Sequence, residues 1–94
     1  MQTENTGNAN ALFVAAGGMR LTVTTLSSGT SVSTRTPVYD ITGGGPYTIS
    51  FALTNGEMFL FYNRTSAPVT VNGISIAAGS GITAIVLGGQ LRSL

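Results

Sequence analysis

Histidine, cysteine, lysine and tryptophan are absent from the chain, and only 7% of its 94 residues are charged. Each absence removes a class of chemistry. Without His or Lys, no base stands ready to activate the many Ser and Thr hydroxyls, so nucleophilic catalysis is excluded. Without Cys there is neither a disulfide nor a thiolate metal site, and stability rests on packing or on neighbours. The acids number three, Glu4, Asp40 and Glu57. No calcium-loop spacing links them, so no metal and no other cofactor is expected. Paired carboxylates can hydrolyse glycosides, but Asp40 reads as a turn-proximal residue and Glu57 as a solvated residue opening a strand. No catalytic residue is assigned, and the chain is not expected to be an enzyme.

The scarcity of charge excludes more. Four arginines, Arg20, Arg35, Arg64 and Arg92, stand singly. No basic stripe exists to neutralise a run of phosphates, and nucleic-acid binding is not expected. The uncharged stretch Thr65 to Leu91 is long enough to cross a bilayer, yet Thr, Ser, Asn, Gly and Pro68 interrupt it every few residues. It does not read as a transmembrane helix, and no membrane contact is expected. Met1 to Asn10 is polar, lacks a basic start and carries Glu4, unlike a signal peptide.

What is present is 43% hydrophobic residues, 13 glycines and an abundance of Thr, Ser and Asn. Helical periodicity is hard to find. Alternation and turn punctuation instead recur about every 8 to 12 residues, the pattern of a small all-β domain. A polar N-terminal arm over residues 1–11 precedes a single β domain over residues 12–94, which Leu12, Phe13 and Val14 open as an apolar anchor. From Met19 to Leu26, Met19, Leu21 and Val23 alternate with Arg20, Thr22 and Thr24. Ser31 to Ile41 reads as one polar strand interrupted at Pro37, after which the apolar parity switches to Tyr39 and Ile41. After Gly43-Gly44-Gly45-Pro46, the residues Tyr47, Ile49, Phe51 and Leu53 point inward, and Asn55-Gly56 reads as a hairpin turn. The following strand contains Met58-Phe59-Leu60-Phe61-Tyr62, apolar on both faces, which calls for burial on both sides or a subunit interface. Val69 to Ile76 is a hairpin around Asn72-Gly73, and Ile82 to Leu87 and Gln90 to Leu94 complete the set. The expected fold is a β-sandwich, or a jelly-roll-like domain or barrel, of six to eight short strands.

Three local patterns have structural readings. The triple glycine precedes a strand and lacks the Lys-Ser/Thr of a phosphate loop, so it reads as a turn. Tyr39 and Tyr47 flank it as a possible sugar-stacking platform, but Tyr47 is in phase with the core. Asn63-Arg64-Thr65 matches a glycosylation acceptor without a secretory context.

The segment Phe61-Tyr62-Asn63-Arg64-Thr65-Ser66-Ala67-Pro68-Val69-Thr70-Val71-Asn72-Gly73-Ile74-Ser75-Ile76-Ala77-Ala78-Gly79 resembles the small β-domains of tailed-bacteriophage virion proteins. There an aromatic strand runs into Asn, a Thr/Ser turn, a Val-Thr-Val hairpin and a closing Ala-Gly. The resemblance covers about a fifth of the chain and carries no catalytic residue. It implies a non-enzymatic virion protein, foremost an accessory capsid decoration (cement) protein that docks on the major capsid protein or other virion subunits and staples neighbours. It further implies a homo-oligomer, with a trimer the first choice. The alternatives are a tail, fibre or baseplate module and a free carbohydrate-binding module. Expected assembly contacts are Thr3, Glu4, Asn5, Leu12, Phe13 and Val14 in the arm and its anchor, and Met58, Leu60 and Tyr62 on the doubly apolar strand. A low-charge chain with few gatekeeping residues on its strand edges points to assembly independently of the resemblance.

Overall fold

The structure is a computed structural model describing residues 20–94. The arm over residues 1–11, with Thr3, Glu4 and Asn5, and the anchor Leu12, Phe13 and Val14 lie outside the described residues, as does the boundary at residue 12. Among the described residues there are nine strands and no helix: β1 (Val23–Leu26), β2 (Ser31–Val32), β3 (Val38–Ile41), β4 (Thr48–Ile49), β5 (Met58–Asn63), β6 (Val69–Val71), β7 (Ile74–Ile76), β8 (Gly81–Leu87) and β9 (Gln90–Ser93). The domain is all-β, as its alternation and turn signals require. No helix of the described residues is long and apolar enough to cross a membrane.

The first half of the chain winds between two layers. Strands β1, β3 and β5 lie side by side in parallel, and β8 and β9 complete an open five-stranded sheet in the order β9-β8-β5-β3-β1. Between successive visits to that sheet the chain crosses over to form β2 and β4, which pair in parallel in a second layer. A parallel bridge from Tyr47 to Val71 carries this layer on to the β6-β7 hairpin. The five-stranded sheet keeps two edges, so no barrel closes among the described residues.

This winding explains where the sequence reading and the structure part. Ser31 to Ile41 is two strands, since β2 belongs to the second layer and β3 to the first. The parity switch at Pro37 is the crossing itself. Pro37 has no amide to donate, but its carbonyl accepts from Leu60 N at 2.8 Å. The Asn55-Gly56 turn forms, with Gly56 at φ 92°, yet it joins β4 to β5 across the layers and is not a hairpin. The β1 segment has the opposite phase to the one expected: Leu26 is buried while Leu21 and Val23 face out. Registry with β3 sets this, because Leu26 sits opposite Ile41 and Thr24 opposite Tyr39. Thr24 can face inward because its hydroxyl lies 2.8 Å from that of Thr36. Asn72-Gly73 does form a two-residue hairpin turn with both φ values positive, 49° and 80°. The Asn72 side chain then accepts from Ile49 N at 2.8 Å, extending the ladder where backbone pairing stops.

One core fills the space between the layers. From the five-stranded sheet come Leu26, Tyr39, Ile41, Phe59, Phe61, Ala84, Val86 and Leu91, and from the other layer Val32, Tyr47, Ile49, Val69, Val71 and Ile76. Tyr39 stacks on Phe61 with ring centroids 5.0 Å apart. Its hydroxyl donates to Thr34 O at 2.7 Å and accepts from Thr36 N at 3.0 Å, holding the crossing segment between β2 and β3. The triple glycine is a packing device: a Cβ on Gly44, which has φ 74°, would meet Ser28 backbone at 2.9 Å.

Asn63 is the fully buried polar residue at the end of β5. Its Nδ2 donates to Ala67 O at 2.8 Å and Ile76 O at 3.0 Å, while Oδ1 accepts from Thr65 N at 2.9 Å and Thr65 Oγ1 at 2.6 Å. Both donors and both acceptor positions are used, so the amide costs little to bury and ties β5 to the following turn and to β7. An amide so enclosed is no glycan acceptor in the folded chain.

Asn63→Asp would aim a carboxylate oxygen at two carbonyls, and a loss of about 3 kcal/mol or more is expected at neutral pH. The buried acid would have a raised pKa, so the penalty is smallest where the carboxyl is protonated in both states, leaving one of the two carbonyls unpaired, and grows as pH rises above the ordinary Asp value. Denaturant melts of both forms across pH 3 to 7 check this. A penalty independent of pH would contradict it.

Candidate assembly surface

Both acids among the described residues are spent on the fold. Glu57 pairs with Arg35 and accepts from Thr54 N at 2.9 Å. Arg35 also donates to Ala52 O and lies 4.5 Å over the Phe51 ring, fastening the β2-to-β3 crossing to the loop before β5. Asp40 accepts from Arg64 Nε at 2.6 Å. Asp40 stands in register with Tyr62, five residues along the strand from Glu57, so their backbones are roughly 16 Å apart at about 3.3 Å per residue. That exceeds the separation glycoside hydrolysis needs. Among the described residues no three metal-ligating side chains gather. The open depression of ≈ 280 Å³ beside Arg35, Pro37, Glu57 and Met58 has the Arg35 and Glu57 pair in its lining. Tyr39 and Tyr47 are buried, so neither offers a stacking face to a sugar. Burial pushes the Tyr47 hydroxyl above its ordinary pKa, and it serves as donor to Gly43 O.

The surface that remains unexplained by the fold is the outer face of the five-stranded sheet. Strand β5 alternates strictly, with Phe59, Phe61 and Asn63 inside and Met58, Leu60 and Tyr62 outside. Met58 and Leu60 are 52% and 43% exposed. Register aligns further apolar groups with them. Val23, Val38, Leu60 and Thr83 form one row across β1, β3, β5 and β8, and Leu94 continues it through the hydrogen bond that its N–H donates to Thr83 O. Met58, Ile85 and Arg92 form the adjacent row, with Leu87 beyond it. Tyr62 heads a third row between Asp40 and Gly81. Its ring lies under the Arg64 guanidinium at 5.9 Å, and its hydroxyl donates to Gly79 O at 3.0 Å. Apolar side chains thus cover the middle of the face, and the charged groups Arg92, Asp40 and Arg64 sit toward its margins. Exposed apolar patches of this kind mark interaction surfaces.

The structure therefore brings Met58, Leu60 and Tyr62 together on one open face, while Thr3, Glu4, Asn5, Leu12, Phe13 and Val14 lie outside the described residues. Sequence reasoning missed Val23, Val38, Ile85 and Leu87. Alternation within each strand was visible, but which strands would lie beside β5, and which phase faces out, depends on the winding.

Hydrogen bonds from Arg35 and from Thr54 N hold the Glu57 carboxyl below its ordinary pKa. A lowered folded-state value gives stability that is complete above the ordinary carboxylate value and is lost as pH falls through the lowered one. The difference in melting temperature between the native chain and Glu57→Gln should accordingly be largest near neutral pH and shrink on acidification below the carboxylate range. Thermal melts of both across pH 2 to 7 test it, and a constant difference would refute the assignment.

Compared with known proteins, the chain matches no family model, no curated protein and no solved structure.

Proposed function

We propose that the chain is a non-enzymatic structural subunit of a tailed-bacteriophage virion, foremost an accessory capsid decoration protein that binds the major capsid shell and staples its neighbours. The observation that carries the structural role is the outer face of the five-stranded sheet, apolar through its centre on a domain whose acids Asp40 and Glu57 are both tied to arginines. A surface of that composition can hold a partner and has no group with which to transform one. The viral setting is supported by the resemblance of Phe61 to Gly79 to virion β-domains. A tail, fibre or baseplate part would use the same surface chemistry and differ in copy number. Mass-spectrometric stoichiometry of the purified particle separates them: hundreds of copies are expected for decoration, dozens or fewer for a tail part, and absence from the particle would overturn the proposal.

Two further outcomes follow from the chemistry of attachment. Arg35 and Arg64 are already paired within the chain, leaving few charges for a partner. Attachment driven by apolar area should change little between about 0.05 and 0.5 M salt, conditions that cost a phosphate binder orders of magnitude. Phe13→Asp should release the protein, since an unpaired carboxylate in an apolar contact costs several kcal/mol, and Arg92→Ala should not. Co-sedimentation with the particle reads both. A steep salt dependence with Phe13→Asp still bound would mean an electrostatic contact elsewhere.

A further inference from the structure

We infer that the outer face of the five-stranded sheet is occupied by a second copy of the same chain, packed sheet against sheet about a two-fold axis running along β5. The inference rests on reading the chain as a structural subunit and names the partner of that face.

The strand order makes the face suited to meeting itself. In β9-β8-β5-β3-β1 the doubly apolar strand is the middle one, with two strands on either side. Rotation about an axis along β5 lays β8 of one copy over β3 of the other and β9 over β1. Met58, Leu60 and Tyr62 then each meet their own counterparts on the axis. Along the central row, Val38 comes opposite Thr83 of the second copy, and Val23 opposite Leu94 of the second copy. Apolar groups thus face apolar groups, with Thr83 the polar member. This is the isologous relation in which a patch must complement itself.

Charge placement agrees. Arg92 lies on one edge strand, and the rotation carries its counterpart to the opposite edge, so the two guanidinium groups never face each other. Asp40 on β3 comes opposite Gly81 of the second copy, not opposite another carboxylate. Arg64, over the Tyr62 ring near the axis, approaches its own counterpart but carries Asp40 as its ion-pair partner, and the short side chains on the central row let two sheets approach to the usual spacing of about 10 Å.

The five strands hold four, four, six, seven and four residues, which at about 3.3 Å per residue and about 4.8 Å spacing give a face of roughly 400 Å² in projection. A pair therefore covers about 800 Å² before the relief of the side chains is counted, the size of a concentration-dependent contact and not of an obligate one. A face that meets itself produces a two-fold pair, whereas the trimer implied by the resemblance needs two different patches in contact.

The chain has no cysteine, which makes site-directed crosslinking clean. Met58→Cys places one thiol per copy near the end of the axis, and Ser75→Cys places one on the exposed side of the other layer. A short bifunctional maleimide, matched to the about 10 Å between packed sheets, should join Met58→Cys chains into covalent dimers and leave Ser75→Cys chains single. Sedimentation velocity on the native full-length chain should show a dimer at micromolar concentration. Leu60→Asp sets two carboxylates against each other on the axis and should raise the dissociation constant about 100-fold or more, with circular dichroism confirming that the exposed substitution leaves the fold intact. A native chain that stays monomeric at high micromolar concentration, a trimer, or crosslinking at Ser75→Cys in place of Met58→Cys would each overturn the inference. None of those results touches particle stoichiometry, which decides the proposed function separately.

Discussion

Everything in this domain is arranged around one constraint: β5 is apolar on both faces and paired on both edges, and the described residues cover only one of its two faces. The inner face was given to the core. Phe59 and Phe61 contribute their rings to the cluster with Tyr39, and β3 and β8 take up the backbone of β5 on its two sides. The outer face received no second layer from the described residues.

The polar groups show the same economy. With so few ionisable side chains, buried hydrogen-bonding capacity is met by amides and hydroxyls placed where the winding changes layer. Asn63 closes the end of β5, Asn72 supplies the acceptor that a missing ladder residue would have offered Ile49, and Tyr39 holds the crossing before β3. The two ion pairs serve the same purpose at the surface, since Arg35 joins a crossing to a loop and Arg64 joins the exit of β5 to β3. These pairs are exposed, so they contribute position more than energy.

How much of this was legible in the sequence follows from how local each signal is. The Asn72-Gly73 hairpin, the inward phase of Tyr47, Ile49, Phe51 and Leu53, and the two-faced character of β5 were all readable, because each depends on residues within one turn or one strand. The phase of β1 was not. Leu21 and Val23 look like core residues until Leu26 is known to sit opposite Ile41. The Asn55-Gly56 turn reads as a hairpin in sequence because local turn chemistry does not say whether the next strand returns to its neighbour or crosses to another layer. Of the candidate surface, Met58, Leu60 and Tyr62 were legible and the flanking rows were not, since membership of a row is a matter of long-range register.

The lack of charge has a last consequence for recognition. Most protein surfaces reject wrong partners with misplaced like charges, and that device is nearly missing on this face. Selectivity must then come from shape and register. An apolar sheet face would adhere to any flat apolar surface unless something set its extent and orientation, and the marginal groups do so. Arg92 limits the patch at the β9 edge, while the Asp40 and Arg64 pair, with Tyr62 beneath the guanidinium, limits it at the far end of β5. A partner that slid past these limits would exchange apolar contact at the centre of the face for contact with charged side chains, a net loss. The few charges on the face therefore act as boundaries of an apolar contact, which makes their positions, and not their number, the determinant of what can dock.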